Sequence, residues 1–266
     1  MIAALLLANP GEDLSNAFLR WIHIVAGVMW IGHLYFFNFV NAELAKTYDA
    51  DSKKKVIPEL MPRALFWFRW GAAWTWITGV LLLVLLYWRK ANFDHSGVAQ
   101  PGKGAVAVAI VLIGFLVYDQ ICKALSKQPM LALWNWFAIA IGFAAMLEKV
   151  EYFDGSNRAA FIHAGALFGT AMAANVWMRI WPAQKRIITA IKNGQAPDPK
   201  DPALAGMRSK HNTFMSVPLL FLMLGVHQTE AGVFGGDAWM WVLGLCVIGY
   251  FATDWLYKKA AQVKGF

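Results

Sequence analysis

Residues 20–37 read RWIHIVAGVMWIGHLYFF, a stretch that is apolar over most of its length. A bilayer core of roughly 30 Å requires about 20 largely apolar residues per helix, so this stretch predicts a membrane-spanning helix. It nevertheless carries two imidazoles, those of His23 and His33, behind Arg20 at its start. Ionisable side chains within a membrane span are functional by default, so the two histidines require an explanation.

The rest of the chain has the same apolar character. Hydrophobic residues make up 59% of the 266 and charged residues 15%, a balance that excludes a soluble domain. We therefore predict an all-α polytopic membrane bundle that forms a single domain over residues 1–266. Seven windows predict its spans: 18–40, 64–88, 104–124, 129–147, 159–180, 212–228 and 238–255.

The positive charges indicate how the bundle is oriented. Eighteen of the 24 Lys and Arg residues fall on the side that follows spans one, three, five and seven. Lys and Arg accumulate on the cytoplasmic side of membrane proteins, so we expect a periplasmic N-terminus and a cytoplasmic C-terminus. The largest cytoplasmic segment is an amphipathic loop over residues 182–211. This topology explains the net charge of +8 without a nucleic-acid partner.

The two cysteines limit the cofactors that the chain can hold. Cys122 and Cys246 both lie inside predicted spans, and the sequence contains no CxxCH motif. A covalently attached c-type haem is therefore excluded, and any haem must be held by side-chain ligands alone.

Three histidines lie at a similar predicted depth. His23 in span one, His163 in span five and His227 at the end of span six each fall within about two turns of the predicted outer surface. Haem b between helices needs axial imidazoles at one height, so these three are candidate ligands of haem iron. Gly27, on the same face as His23, would leave room for a flat porphyrin. The alternative is that each histidine is structural and the small residues only allow close helix packing.

His33 belongs to a different level of span one. Ten residues separate it from His23, about 15 Å of helical rise, so the two cannot bind one iron. It falls instead with polar residues of the predicted cytoplasmic half: Asn38, Arg69, Asp119, Asn135, Asn175, His211 and Asp254. The alternative for the acidic members is local pairing, of Asp119 with Lys123 and of Asp254 with Lys258.

Three long stretches resemble a known family. They are FWFRWGAAWTWITGVLLL (66–83), FIHAGALFGTAMAANV (161–176) and GQAPDPKDPALAGMRSKHNTFMSVPLLFLMLGVHQ (194–228). They are similar to the membrane domain of the PuuD-type urate oxidases, bacterial inner-membrane proteins that oxidise urate to 5-hydroxyisourate and carry a C-terminal cytochrome c domain. The first span, WIHIVAGVMWIG (21–32), also resembles that of the copper-resistance D proteins and the HemJ-type protoporphyrinogen oxidases, in which a histidine is associated with haem b.

The resemblance assigns roles to particular residues. His23, His163, His211 and His227 fall on histidines expected in the urate oxidase pattern, whereas His33 departs from it. Further residues fall within its motif stretches: Trp74, Thr75, Asn175, Arg208, Asn212 and Pro218. This sequence has no CxxCH domain of its own, so we expect its electrons to pass to a separate periplasmic or membrane-bound cytochrome c.

Together these observations give one main hypothesis. We expect an inner-membrane oxidoreductase with one or two non-covalent haem b groups, held near the periplasmic face by two of the three outer histidines. A planar anion such as urate would bind at the inner cluster, with Arg208, His211 and Asn212 at its mouth and Asn175 beside them. A distant second haem would use His33. Two alternatives remain: a non-catalytic b-type cytochrome within a respiratory assembly, and a channel or transporter for a small anionic or purine-like solute.

Overall fold

The computed structural model describes residues 10–88, 103–149, 157–225 and 237–263, and every element in these ranges is helical. The helices are α1 (Pro10–Tyr35), α2 (Ala50–Leu83), α3 (Lys103–Ala124), α4 (Pro129–Lys149), α5 (Asn157–Asn175), α6 (Trp181–Lys192), α7 (Lys200–Gly225) and α8 (Ala238–Ala260). Wider π-helical segments extend three of them: Phe36–Asn41 after α1, Val84–Trp88 after α2 and Val176–Ile180 between α5 and α6. A short turn, Ala42–Leu44, completes the first element.

Six helices of the described ranges are long and apolar enough to cross a membrane, which confirms an all-α polytopic bundle. They cover Asp13–Leu44, Ala50–Trp88, Gly104–Ala124, Pro129–Lys149, Asn157–Lys192 and Ala238–Ala260. The remaining predicted span, 212–228, falls largely on α7, and its last three residues lie outside the described ranges. The first half of α7 carries Asp201, Arg208 and Lys210, so the described part of this helix is more polar than the other six.

The predicted cytoplasmic loop over 182–211 is mostly helical. Its first part forms α6, with Ile188 buried against the bundle, and α7 already begins at Lys200. Between them, residues 193–199 form the proline-rich turn expected from the sequence. Arg186 of α6 forms an ion pair with Asp201 of α7, which fixes the two helices across this turn.

Helix α5 lies at the centre of the bundle. Most of its residues are buried, and many of them are Ala or Gly, which lets neighbouring helices approach closely. The packing against α7 is close at Gly165, where a Cβ atom would lie 2.9 Å from Met223 Cε and 3.3 Å from Leu222 Cβ. This contact sets the relative depth of α5 and α7, the two helices that carry the predicted inner-site residues.

Helices α1 and α2 form a close pair through a glycine. A Cβ atom on Gly71 would lie 3.0 Å from the backbone nitrogen of Trp30 and 3.2 Å from the carbonyl oxygen of Ala26. Trp30 and Ala26 are both buried at this contact. Because the nearest atoms belong to backbone, they cannot move away as a flexible side chain could.

We expect Gly71→Ala to destabilise the protein by about 1–3 kcal/mol, because the added methyl group overpacks this contact. Gly32→Ala on α1 is the matched control, since a Cβ atom there meets nothing within 4 Å. Alanine favours a helix equally at both positions, so the difference in melting temperature of the detergent-purified variants isolates the packing effect. Equal melting temperatures would contradict the close contact.

Candidate functional site

The structure brings the four predicted inner-site residues together. Arg208, His211 and Asn212 occupy one face of α7 through their i, i+3 and i+4 spacing, and Asn175 ends α5 opposite them. Arg208 is 1% exposed and the other three are fully buried. The group therefore lies inside the bundle and not at an open mouth.

Asp119 of α3 neutralises part of this cluster. Its carboxylate accepts a hydrogen bond from Arg208 Nη2 at 2.7 Å, and a bidentate pair from Arg179 Nε at 2.8 Å and Nη2 at 2.6 Å. The predicted local pair with Lys123 is also present, at 2.8 Å. Three cations thus surround one carboxylate and leave a net charge of +2. Arg208 and Asp119 are buried, whereas Lys123 is exposed, so the excess charge extends toward the surface.

The two asparagines link the charged group to the helix backbone. Asn175 Oδ1 accepts from Arg208 Nη1 at 3.3 Å, while its Nδ2 donates to Asn212 Oδ1 at 2.8 Å and to the Tyr118 hydroxyl at 3.1 Å. Asn212 Nδ2 then donates to the carbonyl of Met172 at 2.9 Å. Both side-chain amides are therefore fully oriented by the network.

Tyr118 of α3 connects this network to His211. The Tyr118 hydroxyl lies 2.8 Å from His211 Nδ1 and already accepts a hydrogen bond from Asn175. With Asn175 donating to this oxygen, we assign the hydroxyl proton to the side of Nδ1, which makes Nδ1 the acceptor and places the imidazole proton on Nε2. Cys122 Sγ lies 3.8 Å from the same nitrogen. Tyr118 was not predicted, and the one signal for it in the sequence is its position beside Asp119 in an apolar span.

Three buried N–H donors around Tyr118 have no hydrogen-bond acceptor within the described residues: Arg208 Nε, His211 Nε2 and Trp136 Nε1. The Arg208 guanidinium carbon lies 5.1 Å from the centre of the Tyr118 ring, and the rings of Trp136 and His211 lie 5.2 and 6.0 Å from it. The backbone of Pro129 interacts with the His211 imidazole but forms no hydrogen bond of good geometry with Nε2. Elsewhere in the described residues Trp30 Nε1, Arg69 Nε and Thr253 Oγ1 also lack a partner, so the distinguishing feature of this cluster is that three such donors lie around one ring.

The outer histidine of α5 is fully buried. His163 Nδ1 donates to the carbonyl of Ala159 at 2.8 Å, and Nε2 accepts from Trp88 Nε1 at 3.0 Å. A ligating histidine commonly donates its other ring nitrogen to a carbonyl, so His163 has the tautomer that iron ligation needs. Trp88 holds the ligating nitrogen in this structure and would have to move for a metal to bind there.

The outer histidine of α1 is half-buried against α2. Thr78 donates its hydroxyl proton to the carbonyl of Trp74 at 2.6 Å, so the 3.1 Å contact between His23 Nδ1 and Thr78 Oγ1 has the imidazole as donor. His23 Nε2 therefore carries a lone pair. A Cβ atom on Gly79 would lie 2.9 Å from His23 Cε1, so this glycine allows close packing of α1 on α2, whereas one on Gly27 would meet Thr75 at an ordinary contact distance of 3.8 Å.

His23 and His163 do not share one depth, so that expectation is wrong for this pair. His23 contacts Thr78 at 3.1 Å and His163 contacts Trp88 at 3.0 Å, and these two partners lie ten residues apart on α2 and its π-helical extension. The reason is that α1 begins at Pro10, eight residues before the predicted span, which places His23 deeper along its helix. The pair cannot hold one haem iron in this arrangement.

Of the other two predicted haem ligands, only His33 lies within the described residues, and it joins neither group. His33 donates from Nδ1 to the carbonyl of Met29 at 2.7 Å and lies beside Phe37, both on its own element. His227 lies outside the described residues. Within the described ranges, no group of three or more His, Cys, Asp or Glu side chains could hold a metal ion.

Comparison with known proteins gives one result that covers nearly the whole chain. The family described as urate oxidase N-terminal matches residues 11–56 and 48–265. No curated protein and no solved structure matches the chain.

We expect Asp119→Asn to destabilise the protein by about 3–5 kcal/mol, because it leaves the buried Arg208 cation without its carboxylate. Asp254→Asn is the matched control, since Asp254 pairs only locally with Lys258 at 2.6 Å on an exposed part of α8. Loss of this exposed ion pair should leave the free energy of unfolding almost unchanged. Thermal unfolding of both variants in detergent measures the difference, and equal stability of the two would contradict the central role of Asp119.

Proposed function

Because this chain belongs to the urate oxidase N-terminal family, we propose that it is the membrane part of an oxidoreductase that converts urate to 5-hydroxyisourate and passes the electrons to a cytochrome c. The family is shown by the match over residues 11–56 and 48–265. The chain is a multi-pass membrane protein, with six helices in the described ranges able to span a bilayer. We place it in the bacterial inner membrane with its N-terminus in the periplasm, on the distribution of Lys and Arg.

The observation that carries this proposal is the set of three unpaired donors around Tyr118. Urate is a planar anion whose edges carry carbonyl oxygens and ring nitrogens that accept hydrogen bonds. Arg208 Nε, His211 Nε2 and Trp136 Nε1 would each gain an acceptor from such a ligand. The net charge of +2 around Asp119 would favour an anion over a neutral purine.

The other site residues have positioning roles in this proposal. A guanidinium presents its N–H groups as a planar fork, and Asn175 and Asp119 hold two of the Arg208 nitrogens in fixed directions. Asn212 in turn fixes Asn175 through the 2.8 Å amide contact. The substrate would thus meet a preorganised donor set at a depth near the cytoplasmic ends of α3 and α5.

Haem b is the cofactor that we propose for electron transfer. His163 fits as a single axial ligand, since its Nδ1 proton is fixed by Ala159 and its Nε2 carries the lone pair. His23 has the same tautomer but lies at a different depth, so the two do not fit one iron. His227 remains the partner that the sequence offers to His163. When bound, haem b would supply a one-electron carrier on the periplasmic side, and a cytochrome c or other respiratory subunits would be its acceptors.

We expect Arg208→Lys to lower the rate of urate-dependent reduction of cytochrome c at least tenfold, because lysine keeps the charge but lacks the planar fork of N–H donors. A tenfold change in rate corresponds to about 1.4 kcal/mol. Arg63→Lys is the matched control, since Arg63 is exposed and pairs only with Glu59. The measurement uses the full chain in membrane vesicles with added urate and cytochrome c. Unchanged rates in Arg208→Lys would contradict the placement of the substrate. A wild-type protein inactive with urate would overturn the urate assignment.

A reduced-minus-oxidised spectrum of the purified protein tests the haem. We expect His163→Ala and His227→Ala to abolish the same haem band, and His33→Ala to leave it unchanged as the matched control. His23→Ala should also leave that band, because His23 contacts Thr78 whereas His163 contacts Trp88, ten residues further along the same element. Unchanged spectra in all four variants would contradict the ligand assignment, and a wild-type protein without Soret absorbance would favour a transporter.

A further inference from the structure

The proposed substrate site and the proposed electron exit are far apart. Twelve residues of continuous α-helix separate His163 from Asn175 on α5, about 18 Å of rise. Electron transfer slows steeply with distance, so a relay between the two ends would speed transfer along this path. The protein side chains that can lose one electron most readily are those of tryptophan and tyrosine.

Two such side chains lie in this interval. The rings of Tyr118 and Trp136 are both buried, and their centres are 5.2 Å apart. Gly114 lies one turn before Tyr118 on α3, on the outer side. A Cβ atom on Gly114 would be 3.2 Å from Trp136 Cη2 and 2.5 Å from Leu167 Cδ1. Trp136 therefore lies on the outer side of Tyr118. Leu167 in turn is one helical turn from His163. Trp136 therefore bridges the level of Tyr118 and the level close to the outer histidine.

The two side chains differ in their access to a proton acceptor. A phenol that loses an electron becomes strongly acidic and must release its proton, and Tyr118 has His211 Nδ1 at 2.8 Å to receive it. Trp136 Nε1 has no acceptor among the described residues. Oxidation of Trp136 would therefore stay unfavourable and brief, whereas oxidation of Tyr118 is stabilised by proton transfer.

We propose that Tyr118 and Trp136 form a redox relay between the inner site and the outer face, with His211 as the proton acceptor of Tyr118. A one-electron acceptor at the outer face takes an electron from Trp136, and Trp136 regains one from Tyr118. The Tyr118 O–H bond breaks, and its proton forms an N–H bond at His211 Nδ1. An electron from the substrate then reduces the tyrosyl radical while the proton returns from His211 to the phenol oxygen. Each cycle moves one electron and no net proton.

The relay rests on the proposed function for its direction, from an inner substrate to an outer acceptor. It assigns His211 a second role beside donation from Nε2, since Nδ1 faces the phenol. Two other tyrosines lack this arrangement: Tyr35 bonds to the hydroxyl of Ser216 at 3.0 Å, and Tyr257 donates to the amide oxygen of Asn38 at 2.9 Å. Neither a hydroxyl nor an amide is a base strong enough to hold the phenol proton.

The test uses the full chain in lipid nanodiscs and needs no urate. Photogenerated tris(bipyridine)ruthenium(III) in the aqueous phase oxidises the protein, which is then freeze-quenched for electron paramagnetic resonance. We expect a tyrosyl radical that is lost in Tyr118→Phe and retained in the matched variants Tyr35→Phe and Tyr257→Phe. In the wild type, a deuteron exchanged from D₂O should show hyperfine coupling to the radical, because the proton on His211 remains hydrogen-bonded to the phenoxyl oxygen.

Two further variants test the roles of His211 and Trp136. His211→Gln can still accept the hydrogen bond but cannot hold the proton, so the radical lifetime should fall at least tenfold, a change of about 1.4 kcal/mol. Trp136→Phe should slow formation of the radical by a similar factor while leaving its spectrum unchanged. The relay is overturned by a wild type without a tyrosyl radical, by a radical that survives Tyr118→Phe, or by an unchanged lifetime in His211→Gln. A radical in a protein without urate turnover would overturn the urate assignment and leave the Tyr118–His211 chemistry standing.

Discussion

The inner half of the bundle depends on the carboxylate of Asp119. A charged group in an apolar helix is costly unless it is paired, and Asp119 is paired with cations from three elements: Lys123 on its own helix, Arg179 after α5 and Arg208 on α7. The pairs with Arg179 and Arg208 constrain the depth of α3 relative to the other two elements. Loss of any one cation weakens the set, but loss of the carboxylate leaves all of them without a counter-charge.

This arrangement explains why the cluster is both ordered and incomplete. Asn175 and Asn212 use their whole amide groups within the network, so the backbone and the charges are held in place. The donors that remain unpaired are those of Arg208, His211 and Trp136, and they surround Tyr118. A buried donor without an acceptor costs about 1–3 kcal/mol, so three around one ring are a substantial cost. Both these donors and the +2 charge support the anionic substrate that we propose.

The sequence predicted the membrane class and most spans, because hydropathy alone determines which helices lie in lipid. It also grouped Asn175 with His211, because helical rise converts position in a span into depth, while Arg208 and Asn212 were added by the family resemblance. It could not find the partners on other helices, such as Arg179 for Asp119, since a single sequence does not encode which faces meet. The predicted depth of His23 was wrong because the depth of a residue is counted from the start of its helix. Helix ends are the least certain part of a sequence pattern, and the start of α1 was misplaced.

The π-helical segments explain why some of these contacts escape a pattern based on regular helices. A π-turn adds one residue to a turn, so the residues that follow are rotated by about 100° from their positions in a regular helix. Val176–Ile180 carries Arg179 to Asp119, Val84–Trp88 carries Trp88 to His163, and Phe36–Asn41 carries Asn38 to Ser209 and Tyr257. In each case the irregular turn ends in a polar contact between helices. The polar contact thus offsets the cost of a weaker backbone hydrogen bond in the irregular turn. Such a turn lies at both proposed redox ends of the bundle, Val176–Ile180 at the inner end and Val84–Trp88 at the outer end.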